Sequence, residues 1–128
     1  MKVAIVGTRF DQVMNQNVWM DVGHLVEKLA KDTVIVSGGA PGVDTFAWKW
    51  AETYGLPEPI IIRPKWLRPD GSLDKAAGFA RNTQIVETSD VVIAFWDGES
   101  RGTKDTITKA RKAGKLLMVY EYTYPEYT

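Results

Sequence analysis

Five short runs rich in β-branched and aliphatic residues recur along the chain: VAIV (3–6), TVIVS (33–37), PIIIR (59–63), DVVIAFW (90–96) and KLLMVY (115–120). Longer stretches of helical period separate them. Continuous apolar runs suit strands covered on both faces, as in parallel sheets. The stretches between them supply the covers. Val18, Val22, Leu25, Val26 and Leu29 fall on one helical stripe, as do Val43, Phe46, Ala47, Trp50, Ala51 and Tyr54, with Gly55 as a stop. A third helix is expected from Lys75 to Thr88 with Asp74 as its N-cap. The fourth is expected from Thr103 to Ala113, with Ile107 and Ala110 inward, Lys104, Lys109 and Lys112 outward, and Gly114 as the stop. Strands alternating with helices in this way predict an α/β fold around an open, mostly parallel five-stranded sheet, in the order 3-2-1-4-5 with right-handed crossovers.

The 128 residues fit a single domain. Its tail, EYTYPEYT (121–128), is expected to fray or to pack as an arm on a neighbouring copy. Sixteen basic residues balance sixteen acidic ones, so the excess of Lys and Arg that broad duplex binding needs is missing and nucleic acid is not the expected main partner. There is no cysteine, which excludes disulfides and thiolate metal sites. The opening MKVAIVG is too short in apolar residues for a signal or a membrane span, so a soluble cytoplasmic protein is expected.

In an open sheet of this order the ligand crevice lies beyond the carboxyl ends of the strands, where the order reverses between strands one and four. Three glycine-bearing loops reach that edge: GTRF (7–10), SGGAPGVD (37–44) and DGESRGT (97–103). Glycines leave backbone N–H groups unobstructed, so successive amides can form an anion nest, and a helix N-terminus behind them adds further donors. The candidate ligand residues are therefore Gly7, Thr8 and Arg9, then Ser37, Gly38, Gly39, Gly42 and Asp44, then Asp97, Gly98, Ser100, Gly102 and Thr103. Pro41 suits the first turn of the second helix, and Asp44 in that turn either caps the helix or accepts hydrogen bonds from a ribose hydroxyl. The dinucleotide fingerprint GxGxxG is absent after the first strand, and there is no GxxxxGK[ST] P-loop.

The connection PKWLRPDGSLD (64–74) is too long for a simple turn and arrives at the same edge. It could close over the crevice, with Trp66 either stacking on a base or plugging the loop. AGFARN (77–82) then places Gly78, Arg81 and Asn82 on one helical face, with Arg81 as a planar fork for phosphate or carboxylate.

Taken together, SGGAPGVD, PKW, AGFARN and SDVVIAFWDGESRGT followed by an I-x-x-A helix resemble the YspA-like family of the SLOG superfamily. That superfamily includes the Lonely-guy phosphoribohydrolases and the core of the DNA-processing protein DprA. The resemblance implies a Rossmann-like three-layer sandwich spanning 1–128 that binds a nucleotide or nucleotide-derived ligand as a sensor or a processing protein. The Lonely-guy signature pairs an Arg with PGGxGTxxE, whose Glu helps cleave an N-glycosidic bond. Arg81 stands where that Arg would be, and Thr106 stands at the Glu position. Hydrolysis would then fall to Asp44 or Asp97 acting with Arg81, because an oxocarbenium-like state wants a nearby carboxylate. Single-stranded DNA binding, by analogy with DprA, is a third reading.

No cofactor is expected beyond Mg²⁺ carried in by a nucleotide, since no Asp/Glu cluster has metal spacing and His24 stands alone. Trp48 lies off the buried stripe and marks either a subunit contact, hence a homo-oligomer, or packing under a loop.

Overall fold

The structure is a computed structural model that describes residues 1–10 and 12–122. Strands β1 (Lys2–Gly7), β2 (Val34–Ser37), β3 (Ile60–Ile61), β4 (Val91–Trp96) and β5 (Leu116–Glu121) alternate with helices α1 (Gln12–Lys28), α2 (Val43–Thr53), α3 (Ala77–Thr88) and α4 (Arg101–Lys112). The sheet has the order β3-β2-β1-β4-β5, and every pairing is parallel. This is the expected open α/β, Rossmann-like arrangement.

Successive side chains on a strand face opposite sides, and the central strands divide between two cores accordingly. Val3 and Ile5 of β1, Ile35 of β2, and Ile93 and Phe95 of β4 meet Val18, Val22 and Val26 of α1 and Val43, Ala47 and Ala51 of α2. Ala4, Val6, Val36, Val92 and Ala94 meet Ile85 and Val86 of α3 and Ile107 and Ala110 of α4 on the other face. The uninterrupted apolar runs of β1, β2 and β4 follow from burial on both faces, whereas β5, at the sheet edge, leaves Leu117, Met118 and Tyr120 exposed.

Helix α1 begins at Gln12, ahead of the stripe from Val18 that revealed it. The polar run of Asn and Gln before Val18 conceals its first turns from a pattern of apolar residues. Strand β3 is shorter than PIIIR suggests, because Pro59 has no N–H for a ladder; pairing continues only through Ile62 N–H to Ser37 O at 2.8 Å. Helix α3 begins at Ala77 rather than Lys75. Asp74 nonetheless organises its approach, with Oδ1 accepting the Ala76 N–H at 3.0 Å. Pro41 precedes the N-cap of α2, Gly42, instead of entering the first turn.

The tryptophans are mostly structural. Trp19 and Trp50 lie 4.6 Å apart, Trp50 stacks on Tyr54, and Trp50 Nε1 donates to Trp19 O at 2.9 Å. This cluster joins α1 to α2 over Gly23, where a side chain would strike the Trp50 ring. Trp48 is half-buried. Most of the tail singled out from the sequence, residues 123–128, lies outside the described residues. No helix among the described residues is long and apolar enough to cross a membrane.

Candidate functional site

At the carboxyl ends of β1, β2 and β4 the three glycine-bearing loops converge, and several of their residues hold the loops to one another. Thr8 is buried, and its Oγ1 lies 3.4 Å from Thr103 Oγ1 and accepts the Asp97 N–H at 3.3 Å. Thr8 therefore ties the first loop to the third and to α4. Asp97 Oδ1 accepts the N–H groups of Glu99 at 2.9 Å and Ser100 at 2.8 Å, which closes the turn into α4. Ser100 caps α4 by accepting the Thr103 N–H. Ser37 donates to the main-chain oxygen of Asp44 at 2.9 Å and anchors the start of α2 to β2.

Gly7 serves packing. A side chain there would start 2.5 Å from Phe95 O and 2.8 Å from Val43, so its absence lets α2 lie close on the sheet. Gly42 has φ of 93°, the left-handed region, as the chain turns into α2 against Arg9.

The centre of the crevice is a cavity of about 110 Å³ lined by Gly7, Ala40, Asp44, Arg81, Asn82, Ser100, Gly102, Thr103 and Thr106, with Val6 and Ile85 as its floor. Asp44 is almost wholly buried, and its side chain does not cap α2. Its Oδ2 accepts the Ala40 N–H at 3.2 Å across the second loop. Burial pushes its carboxyl from 3.8 up to about 6, against the pull of that N–H and of the nearby Arg81 charge.

Arg81 projects from α3 across the crevice and donates from Nη1 to Gly38 O at 2.6 Å, while its Nε donates to Asn82 Oδ1 at 3.0 Å. Asn82 in turn donates to Gly102 O and Asp105 Oδ2, both at 3.2 Å, so α3 and α4 are tied together beneath the guanidinium. Gly38 makes this corner possible: a side chain there would start 2.5 Å from Arg81 Nη1 and 2.7 Å from Asp44 Oδ2.

Arg81 also borders a larger, outer cavity of about 390 Å³, lined by Gly38, Gly39, Pro41, Arg63, Pro64 and Trp66. Its floor is the second loop, where Gly39 has φ of 73°. Its far wall is the long connection 62–76, pinned into a small hairpin by a bridge between Leu67 and Leu73. Trp66 is 49% exposed and rests on Gly78 of α3.

Of the residues singled out from the sequence, Gly7, Asp44, Arg81, Asn82, Ser100, Gly102 and Thr103 share the inner cavity, and Gly38, Gly39 and Trp66 share the outer one. Thr8, Arg9, Ser37, Gly42, Asp97 and Gly98 line neither. Asp97 is committed to its turn and Arg9 points to solvent. Two polar lining residues, Arg63 and Thr106, were not among the candidates. Arg63 leaves the edge strand and donates to Gly39 O at 3.4 Å; its position just past an apolar run at the same sheet edge was the available signal. Among the described residues no group of three His, Asp or Glu side chains is gathered to hold a metal ion.

Comparison with known proteins agrees with this architecture. The family model described as YspA, cpYpsA-related SLOG family matches residues 1–68. The Gene 61 protein of Mycobacterium phage D29 is 34% identical over 123 residues, covering 88% of this chain and 90% of the phage protein. DNA processing protein A from Helicobacter pylori, whose single-stranded DNA binding mode has been studied structurally, aligns over 99% of this chain and 66% of its own, with a TM-score of 0.64 and 27% identity. The same protein from Streptococcus pneumoniae aligns over 98% of this chain and 50% of its own, with a TM-score of 0.72 and 24% identity. The chain thus spans about half to two thirds of the length of these two solved structures. With a family model over more than half its length and a phage relative matched almost end to end, the chain belongs to the YspA, cpYpsA-related SLOG family.

Proposed function

We propose that the protein binds a nucleotide or nucleotide-derived ligand in the two joined cavities at the carboxyl edge of the sheet. The observation that carries this is the position of Arg81, whose guanidinium forms a wall of both the inner and the outer cavity. Gly38 and Gly39 line the outer cavity with it, and Gly102 and Thr103, at the N-terminus of α4, line the inner one. One fixed cation among backbone donors suits phosphate, and a long wall carrying Trp66 suits a base. Any Mg²⁺ would come with the phosphates. Family membership supports the same reading.

Calorimetry with a panel of nucleoside mono- and diphosphates, cyclic nucleotides and NAD tests it. One or more should bind, and Arg81→Ala should lose at least tenfold in affinity while melting within a few degrees of the parent. Unchanged affinity in that variant would place the ligand elsewhere. Chromatography of the same mixtures for released base separates a binding protein from an N-glycosidic hydrolase. Of the two carboxylates considered for hydrolysis, Asp44 borders the cavity with Arg81, whereas Asp97 is held in its turn.

A second reading, single-stranded DNA, draws on the Helicobacter relative and on local charge. The net charge is zero, yet Arg63, Lys75 and Arg81 line the cavities that the exposed Trp66 borders. Basic side chains around an aromatic face are how single strands are held without sequence preference. A labelled oligonucleotide retained at low salt and released as salt rises would favour it; failure of retention at every salt concentration would remove it.

A further inference from the structure

We infer that the corner formed by Asp44 and Arg81 recognises the vicinal diol of a ribose, which makes the inner cavity selective for ribonucleotides over 2′-deoxyribonucleotides. This rests on the nucleotide reading above and adds the sugar to it. The carboxylate and the guanidinium approach one point from two sides: a Gly38 side chain would start 2.7 Å from Asp44 Oδ2 and 2.5 Å from Arg81 Nη1. They nevertheless form no ion pair with each other. Arg81 is turned aside by Gly38 O and Asn82, and Asp44 by the Ala40 amide. The result is an acceptor and a donor, each fixed by other partners, side by side on one wall of a cavity of about 110 Å³.

Phosphate suits the outer cavity, where Arg63 and Arg81 meet no carboxylate, but it fits this corner poorly. It offers only acceptors, so here it can take the guanidinium but is repelled by the carboxylate of Asp44. A cis-diol offers what the wall needs, because one hydroxyl can donate to Asp44 while its neighbour accepts from Arg81. The volume is of the order of a furanose ring, and the larger outer cavity beside Trp66 has room for the base. Thr103 and Thr106, on the opposite wall, present hydroxyls rather than charges to the ring.

The test is calorimetry at pH 7.5 with AMP, GMP, CMP and UMP and their four 2′-deoxy counterparts, on the parent protein and on Asp44→Asn. A hydrogen bond to a charged group is lost on removing the 2′-hydroxyl, so the ribonucleotide that binds should exceed its deoxy form by about ten- to a hundredfold. In Asp44→Asn that ratio should shrink to a few-fold. Melting of the variant at or above the parental temperature verifies that its fold is intact. Equal affinities for the two sugars, or a ratio that survives Asp44→Asn, overturns the assignment while leaving nucleotide binding in place. If neither these eight nor the diphosphates, cyclic nucleotides and NAD of the wider panel bind, the nucleotide reading fails and takes this one with it.

Discussion

Asp44 should cost the protein stability at neutral pH, and Asp44→Asn should recover it. The carboxyl is held at about 6 in the fold by burial, against 3.8 ordinarily. A carboxyl whose folded value is raised binds its proton more tightly when folded, so stability falls as pH rises from about 3.8 to about 6 and stays level above. At 1.36 kcal/mol per unit, the full loss is about 3 kcal/mol, most of which develops between pH 4 and pH 7.5. Asn keeps the size and a carbonyl acceptor for the Ala40 N–H, and it removes the titration. Urea unfolding of parent and variant at pH 4 and at pH 7.5 isolates the effect, since other titrating groups are common to both. The variant's midpoint should gain on the parent's by roughly 1–2 M between the two pH values, given the urea dependence usual for small domains. Arg81→Ala should steepen the parent's loss, because the Arg81 charge is one of the influences holding the Asp44 carboxyl down. A midpoint difference that stays constant between pH 4 and pH 7.5 would refute the reasoning and mean that the carboxylate is hydrated or fully paired.

Four further outcomes separate fold from site. Gly7→Ala drives a side chain into Phe95 O and Val43, both fixed by the sheet and α2, and should lower stability by about 2 kcal/mol or more in chemical denaturation. Gly38→Ala meets the side-chain ends of Arg81 and Asp44 rather than backbone, so it should cost less stability than Gly7→Ala yet lose at least tenfold in nucleotide affinity by calorimetry. Trp66→Ala should leave the melting temperature unchanged, as the ring is 49% exposed, while weakening the best nucleotide by about 1–3 kcal/mol, the range for a base stacked on an aromatic side chain. Thr8→Val removes the hydroxyl between Asp97 and Thr103 and should destabilise by about 1–2 kcal/mol, measured by thermal unfolding, since the Asp97 N–H loses its acceptor.

The order of elements and strands was legible because it depends on burial, and burial on both faces writes itself into the chain as runs such as VAIV and DVVIAFW. Element ends were less so. The first turns of α1, broken by Asn15, Gln16 and Asn17, carry no stripe, and β3 stops where Pro59 and the sheet edge end the ladder, neither of which a hydrophobic pattern records. The converging loops were legible for a topological reason, since a parallel sheet sends all its β-to-α connections to one edge. What each residue does there was not. Asp44 and Asp97 stand in similar glycine-bearing loops, yet one is buried beside Arg81 and the other accepts two N–H groups in a turn. Gly7 and Gly38 look alike in sequence, but the space beside Gly7 is taken by the protein's own backbone and the space beside Gly38 by the two charged groups of the cavity. Those differences are set by how closely α2 and α3 approach the sheet. That approach is fixed by contacts between residues dozens of positions apart, such as Arg81 with Gly38 and Thr8 with Thr103. Local pattern therefore locates the site, and long-range packing assigns the chemistry within it.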